Sequence, residues 1–338
     1  MTRPLLLTGA TGFLGRELVR ELGERGWVVH ATAREGSRRE AVSGDLIWHE
    51  ADLTDPASLA RTAQAVAAAG PEPALVHAGA VISYKDRDGD LQRRVNVEGT
   101  RALLDAARRA GFTRGVHVSS VVTVAHSTDG AEYDERAEFN GASLGVDYVT
   151  TKHEAEVVAS GFARSLGLCI VNPGVVYGRG GAASNSARFV EVLARGGIGP
   201  FAPPGGISVV GVEDVAKGVA LALEGGDVGR RYILVERYLP LRELFRLAAV
   251  CLREEGIPAK VPPLVAPAAL WPAAVWGARQ VGRIREIRDA TPQALRMLGC
   301  RWRLSGDRAR RELGWSPLPF EDALLETIRD LQNAGRLS

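Results

Sequence analysis

The stretch TGATGFLG, Thr8 to Gly15, ends the apolar run PLLLT and opens the amphipathic pattern FLGRELVRELGERG. Glycines spaced in this way between a strand and a helix restrict the fold more than any other feature of the chain. Gly9 permits a tight turn, Gly12 lets the backbone come up against a pyrophosphate, and Gly15 permits close packing of helix on strand. The start of the helix then offers amide N–H groups and partial positive charge to phosphates. The turn predicts a dinucleotide site around Gly9, Thr11, Gly12, Phe13, Leu14 and Gly15.

The runs WVVHATA, LIWHEADL, ALVHAGA, GVHVSS and LCIVNPG repeat the β-rich pattern, with helical stretches such as NVEGTRALLDAARRAG and VTTKHEAEVVASGFARSLG between them. Strands that alternate with crossover helices predict an α/β fold, a doubly wound parallel Rossmann sheet covered on both faces. Past Gly178 the alternation breaks. GRGGAASNS and FAPPGG read as loops, ISVVGVEDVAKGVALALEGG resumes strand and helix, and from Pro240 the chain is mostly helical. The expected division is a dinucleotide-binding domain over 1–178 plus about 207–235, and a smaller, mainly helical C-terminal substrate lobe from 179–206 and 236–338.

Basic and acidic residues number 42 and 40, a net charge of +2, so no charge imbalance points to nucleic acid. Cys169, Cys251 and Cys300 lie far apart without a CxxC pair, and the histidines lack ligand spacing. Neither a disulfide framework nor a metal is expected. The opening MTRPLLLTGATG has too short an apolar run for a signal peptide, so the expected location is the cytoplasm. One stretch complicates this. VPPLVAPAALWPAAVWGA, Val261 to Ala278, carries no charge and is followed by Arg279, Arg283 and Arg285. Its length just reaches that of a membrane span, but Pro262, Pro263, Pro267 and Pro272 argue against a straight spanning helix. An apolar lid or lobe helix over a substrate pocket is the expectation, with a helix lying on a membrane surface as the second reading.

The end of the second strand selects the dinucleotide. An NAD(H) site would place a carboxylate there for the ribose 2′-hydroxyl; this chain has Ala33 and then Arg34. A guanidinium can grip a 2′-phosphate with paired hydrogen bonds, and Arg38 and Arg39 lie close in sequence, so NADP(H) is expected. Asp52, before Leu53 in ADLTD, is placed to take the adenine amino group or to cap the next helix near Thr54 or Asp55. Ala78, Gly79 and Ala80 end the fourth strand with small residues that let a cofactor lie against the backbone.

Tyr148 and Lys152 stand one helical turn apart and share a helix face. A phenol has an ordinary pKa near 10, and a neighbouring ammonium that lowers it suits acid–base work. The strand GVHVSS ends at Ser119 and Ser120, where a hydroxyl can hold a substrate carbonyl. The spacing Tyr-x-x-x-Lys is common by chance, and it becomes specific behind the glycine turn and the Ser-Ser strand.

These motifs resemble the extended short-chain dehydrogenase/reductases, in order over nearly the whole chain: TGATGFLG, DLTD, HAGA, NVEGT, VHVSS, YVTTK, NPGVVYG and VEDVAKGVALALEGG, then DRARRELGWSPLPFEDAL. VVHATARE and VHVSSVVTV look most like the dihydroflavonol-4-reductase and 3β-hydroxysteroid dehydrogenase branch. The resemblance implies Ser120 as the catalytic hydroxyl and Tyr148 as the proton donor, with Lys152 on the nicotinamide ribose. It implies that Ser119 faces the cofactor or the strand, that Asn96 helps place cofactor or water, and that Pro173 to Val176, Val175 included, runs beside the carboxamide. His126 departs from the branch, which often has glycine near there. Reduction of a small-molecule ketone, or oxidation of the alcohol, is the implied activity, and a homodimer through the helices of NVEGT and YVTTK is implied by analogy. The apolar run with Trp271 and Trp276 favours an apolar or polycyclic substrate. A sugar-nucleotide epimerase or dehydratase holding NAD is the enzyme alternative, and a non-catalytic NADP(H)-binding sensor is the alternative outside enzymes.

Overall fold

The computed structural model describes residues 3–40, 42–197, 199–282 and 291–337; Arg283 and Arg285 lie outside the described residues. The apolar runs form β1 (Pro4–Thr8), β2 (Val28–Ala33), β3 (Leu46–Glu50), β4 (Ala74–His77), β5 (Arg114–Val118) and β6 (Leu168–Pro173). Further along come β7 (Val175–Tyr177), β8 (Phe201–Ala202), β9 (Gly206–Gly211), β10 (Arg231–Leu234), β11 (Arg237–Pro240) and β12 (Leu264–Val265). The first six and β10 build a seven-stranded sheet in the order β10-β6-β5-β4-β1-β2-β3. Every pairing in it is parallel. From β1 the chain winds outward through β2 and β3, then returns to β4 on the other side. The crevice of a doubly wound sheet therefore opens at the C-terminal ends of β1 and β4.

The helices are α1 (Phe13–Glu24), α2 (Pro56–Ala68), α3 (Gly89–Gln92), α4 (Gly99–Arg109), α5 (Asp147–Leu166) and α6 (Asn185–Ala194). They continue as α7 (Val212–Gly225), α8 (Leu241–Glu254), α9 (Trp271–Gly282), α10 (Pro292–Gly299), α11 (Asp307–Leu313) and α12 (Phe320–Asn333). Successive strand residues face opposite sides, so Leu5 and Leu7 pack with Leu18, Leu22, Val215 and Val219 of α1 and α7. Leu6, between them, packs with Leu59, Leu103 and Val158 of α2, α4 and α5. Both faces are thus sealed, which is why these strands read as continuous apolar runs. Local chemistry sets the helix limits. Asp55 accepts the Ala57 amide at 3.0 Å at the start of α2, and Gly167 ends α5 in the left-handed region at φ 54°.

The second lobe is organised on a three-stranded sheet, β11-β9-β7. Val190, Leu244, Phe245, Leu324 and Ile328 of α6, α8 and α12 form its core with Val209. The segment 207–235 is shared between the two sheets, because β9 joins β7 and β11 while α7 and β10 serve the seven-stranded sheet. In the opposite sense, Ala309 and Trp315 from the C-terminal part sit in the core of the large sheet, where the Trp315 indole donates to the Asp214 carbonyl at 2.8 Å. The 261–278 stretch is broken into β12, a 3₁₀ turn at Ala268–Leu270, and α9. No helix among the described residues is long and apolar enough to cross a membrane.

Candidate active site

At the crevice, Gly9 takes φ +79°, and a Cβ on it would stand 2.8 Å from the Ala78 carbonyl and the Gly79 nitrogen. A Cβ on Gly15 would overlap the Gly9 carbonyl oxygen. Gly15 therefore brings the helix against the turn itself, a closer constraint than helix-on-strand packing. Gly12 caps α1 in an extended conformation without a side-chain acceptor. Helix geometry leaves the first-turn N–H groups without intrahelical partners, and at this end no cap side chain answers them. A pyrophosphate fits that gap in charge and in hydrogen-bonding sense. Thr8 Oγ1 accepts the Gly79 amide at 3.2 Å and lies 2.7 Å from His77 Nδ1, tying the ends of β1 and β4 together.

At the adenosine end, Arg34 leaves β2 exposed, and neither it nor Arg38 forms an ion pair among the described residues. Arg39 is engaged differently, 3.9 Å from the Glu50 carboxylate and over the Trp48 ring at 5.6 Å. Asp52 Oδ1 accepts both the amide and the hydroxyl of Thr54 at 2.7 Å, while Asp55 is the residue that caps α2. Burial works against the Asp52 charge, but those hydrogen bonds and the charge of Arg34 hold its carboxyl below the ordinary range. Leu53 packs under Gly79 and Gly99, whose missing side chains make room for it.

Ser120, Tyr148 and Lys152 come together beyond the edge of β5. Tyr148 lies in the first turn of α5, Lys152 one turn on, and both are buried. Ser120 is extended at the exit of β5 and caps the short turn Val121–Thr123. Burial raises the Tyr148 phenol above its ordinary pKa, opposed by a hydrogen bond with Ser120. The expected depression by Lys152 is absent in this state: the ammonium donates to the Val118 carbonyl at 3.0 Å. Lys152 itself is lowered to about 8 by burial, against the pull of Glu156. Between about pH 8 and the ordinary lysine range, the unfolded chain holds a proton on this residue that the folded chain lacks. Its contribution to stability therefore rises with pH across that window and is lost as pH falls through 8. Chemical denaturation from pH 7.5 to 10 is expected to show a smaller upward slope for Lys152→Met than for the parent chain, about one bound proton's worth; equal slopes would refute the assignment.

The surroundings contain residues that the sequence motifs did not single out. Asn172 Nδ2 donates to the Ser120 carbonyl at 3.1 Å, to Thr123 Oγ1 at 2.9 Å and to Glu156 Oε2 at 2.8 Å. Thr123 also donates to Glu156, and Arg231 Nε of β10 stands 2.7 Å from Glu156 Oε1. The available signals were the spacing of Glu156, a further turn along the Tyr148–Lys152 face, and the places of Asn172 and Thr123 within NPGVVYG and VHVSSVVTV. Tyr84, after β4, meets Tyr148 edge-on at 5.9 Å. The Ser119 hydroxyl lies 3.3 Å from that of Thr123 in the turn after β5. Asn96 spans Val81, accepting its amide at 2.8 Å and donating to its carbonyl at 3.0 Å, and reaches Thr151 at 3.3 Å. His126 is clasped by Asn140 through its backbone and lies edge-on to Trp302 at 5.6 Å. Pro173 ends β6, and Val175 and Val176 leave half-buried in β7. His77, at the end of β4, is buried and held between Thr8 and Thr100 at 2.7 and 2.8 Å.

Comparison with known proteins bears on this arrangement. Residues 5–234 match the model of the NAD dependent epimerase/dehydratase family. The sterol demethylase protein B of Methylococcus capsulatus is 31% identical, with 98% of this chain and 99% of that protein aligned. A putative dihydroflavonol 4-reductase of Synechocystis is 28% identical over 97% of this chain and 94% of its own length. The crystal structure of gox2253 superposes with a TM-score of 0.84 at 30% identity, covering 99% of each chain. A parallel sheet whose glycine turn admits only bare backbone, matched by that family over most of its length, places this chain in the NAD dependent epimerase/dehydratase family of extended short-chain dehydrogenase/reductases, as an NAD(P)-dependent enzyme.

Proposed function

We propose that this enzyme reduces a ketone on an apolar, polycyclic small molecule with NADPH, or catalyses the reverse oxidation, through Ser120, Tyr148 and Lys152. The observation that carries the reading is the placing of a buried Tyr148 in the first turn of α5, next to Ser120 at the exit of β5 and with Lys152 one turn on. A bound nicotinamide supplies the hydride for the carbonyl carbon. Ser120 and Tyr148 donate hydrogen bonds to the substrate oxygen, so negative charge building there is met by fixed donors. A phenol that burial keeps protonated at neutral pH is in the state required of a donor, and it passes its proton to that oxygen as the alcohol forms. Lys152, its charge held by the Val118 carbonyl and favoured by Glu156, steadies the phenolate until solvent returns the proton. Gly9 to Gly15 would hold the pyrophosphate and Asn96 the loop at Val81. The names of the sterol and dihydroflavonol relatives favour a polycyclic substrate.

NADPH is favoured over NADH because Ala33 stands where an NAD site would carry its carboxylate, and the exposed Arg34 that follows forms no ion pair among the described residues. Arg34→Ala is expected to weaken NADPH binding about tenfold, the value of one charge-assisted contact, and to leave NADH affinity unchanged. Fluorescence titration with both nucleotides measures this; equal losses would remove Arg34 from the phosphate site. The reaction is tested by following NADPH consumption with steroid ketones, dihydroflavonols and nucleotide sugars. Turnover of a nucleotide sugar without added cofactor would overturn the reading in favour of an epimerase or dehydratase. The same reading carries a homodimer through α4 and α5, where Val157 stands exposed; sedimentation velocity decides it.

A further inference from the structure

We propose that the face formed by β8, β12 and α9 docks on the surface of an anionic lipid bilayer. It presents an unusual concentration of exposed apolar side chains. Phe201 and Leu264 are Cα partners across the β8–β12 pair, and they are 48% and 53% exposed, with Val265 at 45%. Leu270, in the turn that leads into α9, is 64% exposed, and Trp276 on α9 is 65% exposed. Ala273 and Trp276, three residues apart, are neighbours on α9, and Leu270 stands in the turn just before it. Pro263, Pro267, Ala268, Ala269, Pro272 and Ala274 extend the exposed apolar surface between them. Single exposed leucines are ordinary, but a continuous stretch of this kind marks an interaction surface.

Charge selects the occupant. From Gly256 to Gly282 there is no Asp or Glu, and the only charges are Lys260 and Arg279, both exposed, one at each end of the apolar run. An apolar body with a tryptophan on its outer face, a cation at each end of the run and no carboxylate within it suits an anionic headgroup region, which attracts the cations and takes up the apolar side chains. Spanning is excluded by length among the described residues, which leaves surface attachment. The face also adjoins the reaction site. Trp271 of α9 donates to the Leu295 carbonyl of α10 at 2.8 Å. From α10, Gln293 donates to Asp86 at 2.8 Å and to Asp147 at 2.7 Å, and Asp147 is the residue before Tyr148. Docking would set the active-site helix near the bilayer in which an apolar polycyclic ketone dissolves. This last step rests on the proposed reductase reading; the docking itself does not.

The test uses the full chain with two kinds of vesicle, phosphatidylcholine alone and phosphatidylcholine with phosphatidylglycerol, in a flotation assay. The parent chain is expected to float with the anionic vesicles. Leu264→Glu/Leu270→Glu, made at exposed positions, is expected to float about tenfold less, with NADPH binding and thermal melting as controls on its fold. Lys260→Glu/Arg279→Glu should lose the preference for the anionic vesicles. Kinetics then separate the two ideas. A steroid ketone dissolved in vesicles should be reduced about tenfold more slowly by the leucine double variant, while a water-soluble ketone is reduced equally by both proteins. If the parent chain does not float, docking is overturned, and NADPH-dependent turnover of the soluble ketone leaves the reductase reading standing. Flotation without turnover of any ketone overturns the reductase reading and leaves docking standing. Equal loss on both substrates assigns the face to a pocket lid, and dissociation of a dimer by the double variant without flotation of the parent assigns it to a second copy; either result overturns docking.

Discussion

Tyr148→Phe is expected to fold, to bind NADPH with unchanged affinity and to lose turnover by about 10²- to 10⁴-fold, the range associated with removing a positioned proton donor. The ring it retains still meets Tyr84 edge-on, as the tyrosine does at 5.9 Å, so packing around the first turn of α5 is preserved. What disappears is the hydroxyl that Ser120 bonds. Without it the developing alkoxide has neither its proton source nor one of its fixed donors, and both losses fall on the transition state. The measurement is kcat with a ketone substrate beside a nucleotide titration. Turnover within a few-fold of the parent would transfer the proton donor's role elsewhere, with Tyr84 the nearest other phenol in view.

Glu156→Ala should be the most damaging change to stability, about 3–5 kcal/mol, the range for breaking a buried ion pair by removing one partner. Glu156 is 1% exposed. One carboxylate oxygen is held by Asn172 at 2.8 Å and by Thr123, and the other faces Arg231 Nε at 2.7 Å. Truncation leaves a guanidinium, an amide and a hydroxyl facing a cavity. It also loosens the link between α5, β6 and β10 on the side that carries Lys152. Glu156→Gln is the informative companion, because it keeps the volume and part of the hydrogen bonding but discards the charge. That charge favours protonated Lys152, so the amide variant should titrate Lys152 at a still lower pH. Denaturation midpoints measure the first effect and the pH dependence of NADPH binding measures the second. An alanine variant as stable as the parent would show that the network is replaced by water at no net cost.

The sheet was legible because its signals are local. The inner strands bury both faces and are written as apolar runs, the edge strand β3 stays partly exposed, and the crossover helices carry their own periodic stripes. The glycine turn was legible for a steric reason: only bare backbone fits where Gly9 meets Ala78 and where Gly15 meets Gly9. Tyr148 and Lys152 were legible through one helical turn, and Ser120 through its place at the end of a strand. The support around them was not legible. Asn172 and Thr123 lie inside quoted motifs that gave them no role, Arg231 lies in none, and all three converge on Glu156 from separate elements. The sign of the Tyr148 shift was also hidden. A Tyr-x-x-x-Lys spacing suggests a lowered phenol, whereas the folded chain raises it, because burial outweighs an ammonium that is aimed at the Val118 carbonyl.

Period, turn chemistry and residue order belong to the sequence by itself. From them follow the doubly wound architecture, the glycine turn and the Tyr148–Lys152 spacing, since the signals for each are local. The tertiary structure alone decided the rest. It drew β9 into the second sheet while leaving α7 and β10 on the first, returned Trp315 to the core of the large sheet, and joined Gln293 to Asp86 and Asp147 at the start of α5. It also broke the uncharged 261–278 run into β12, a turn and α9 and left it largely exposed. These outcomes depend on burial and on contacts between residues far apart in the chain. Burial is a property of the packed molecule, and no local pattern encodes it.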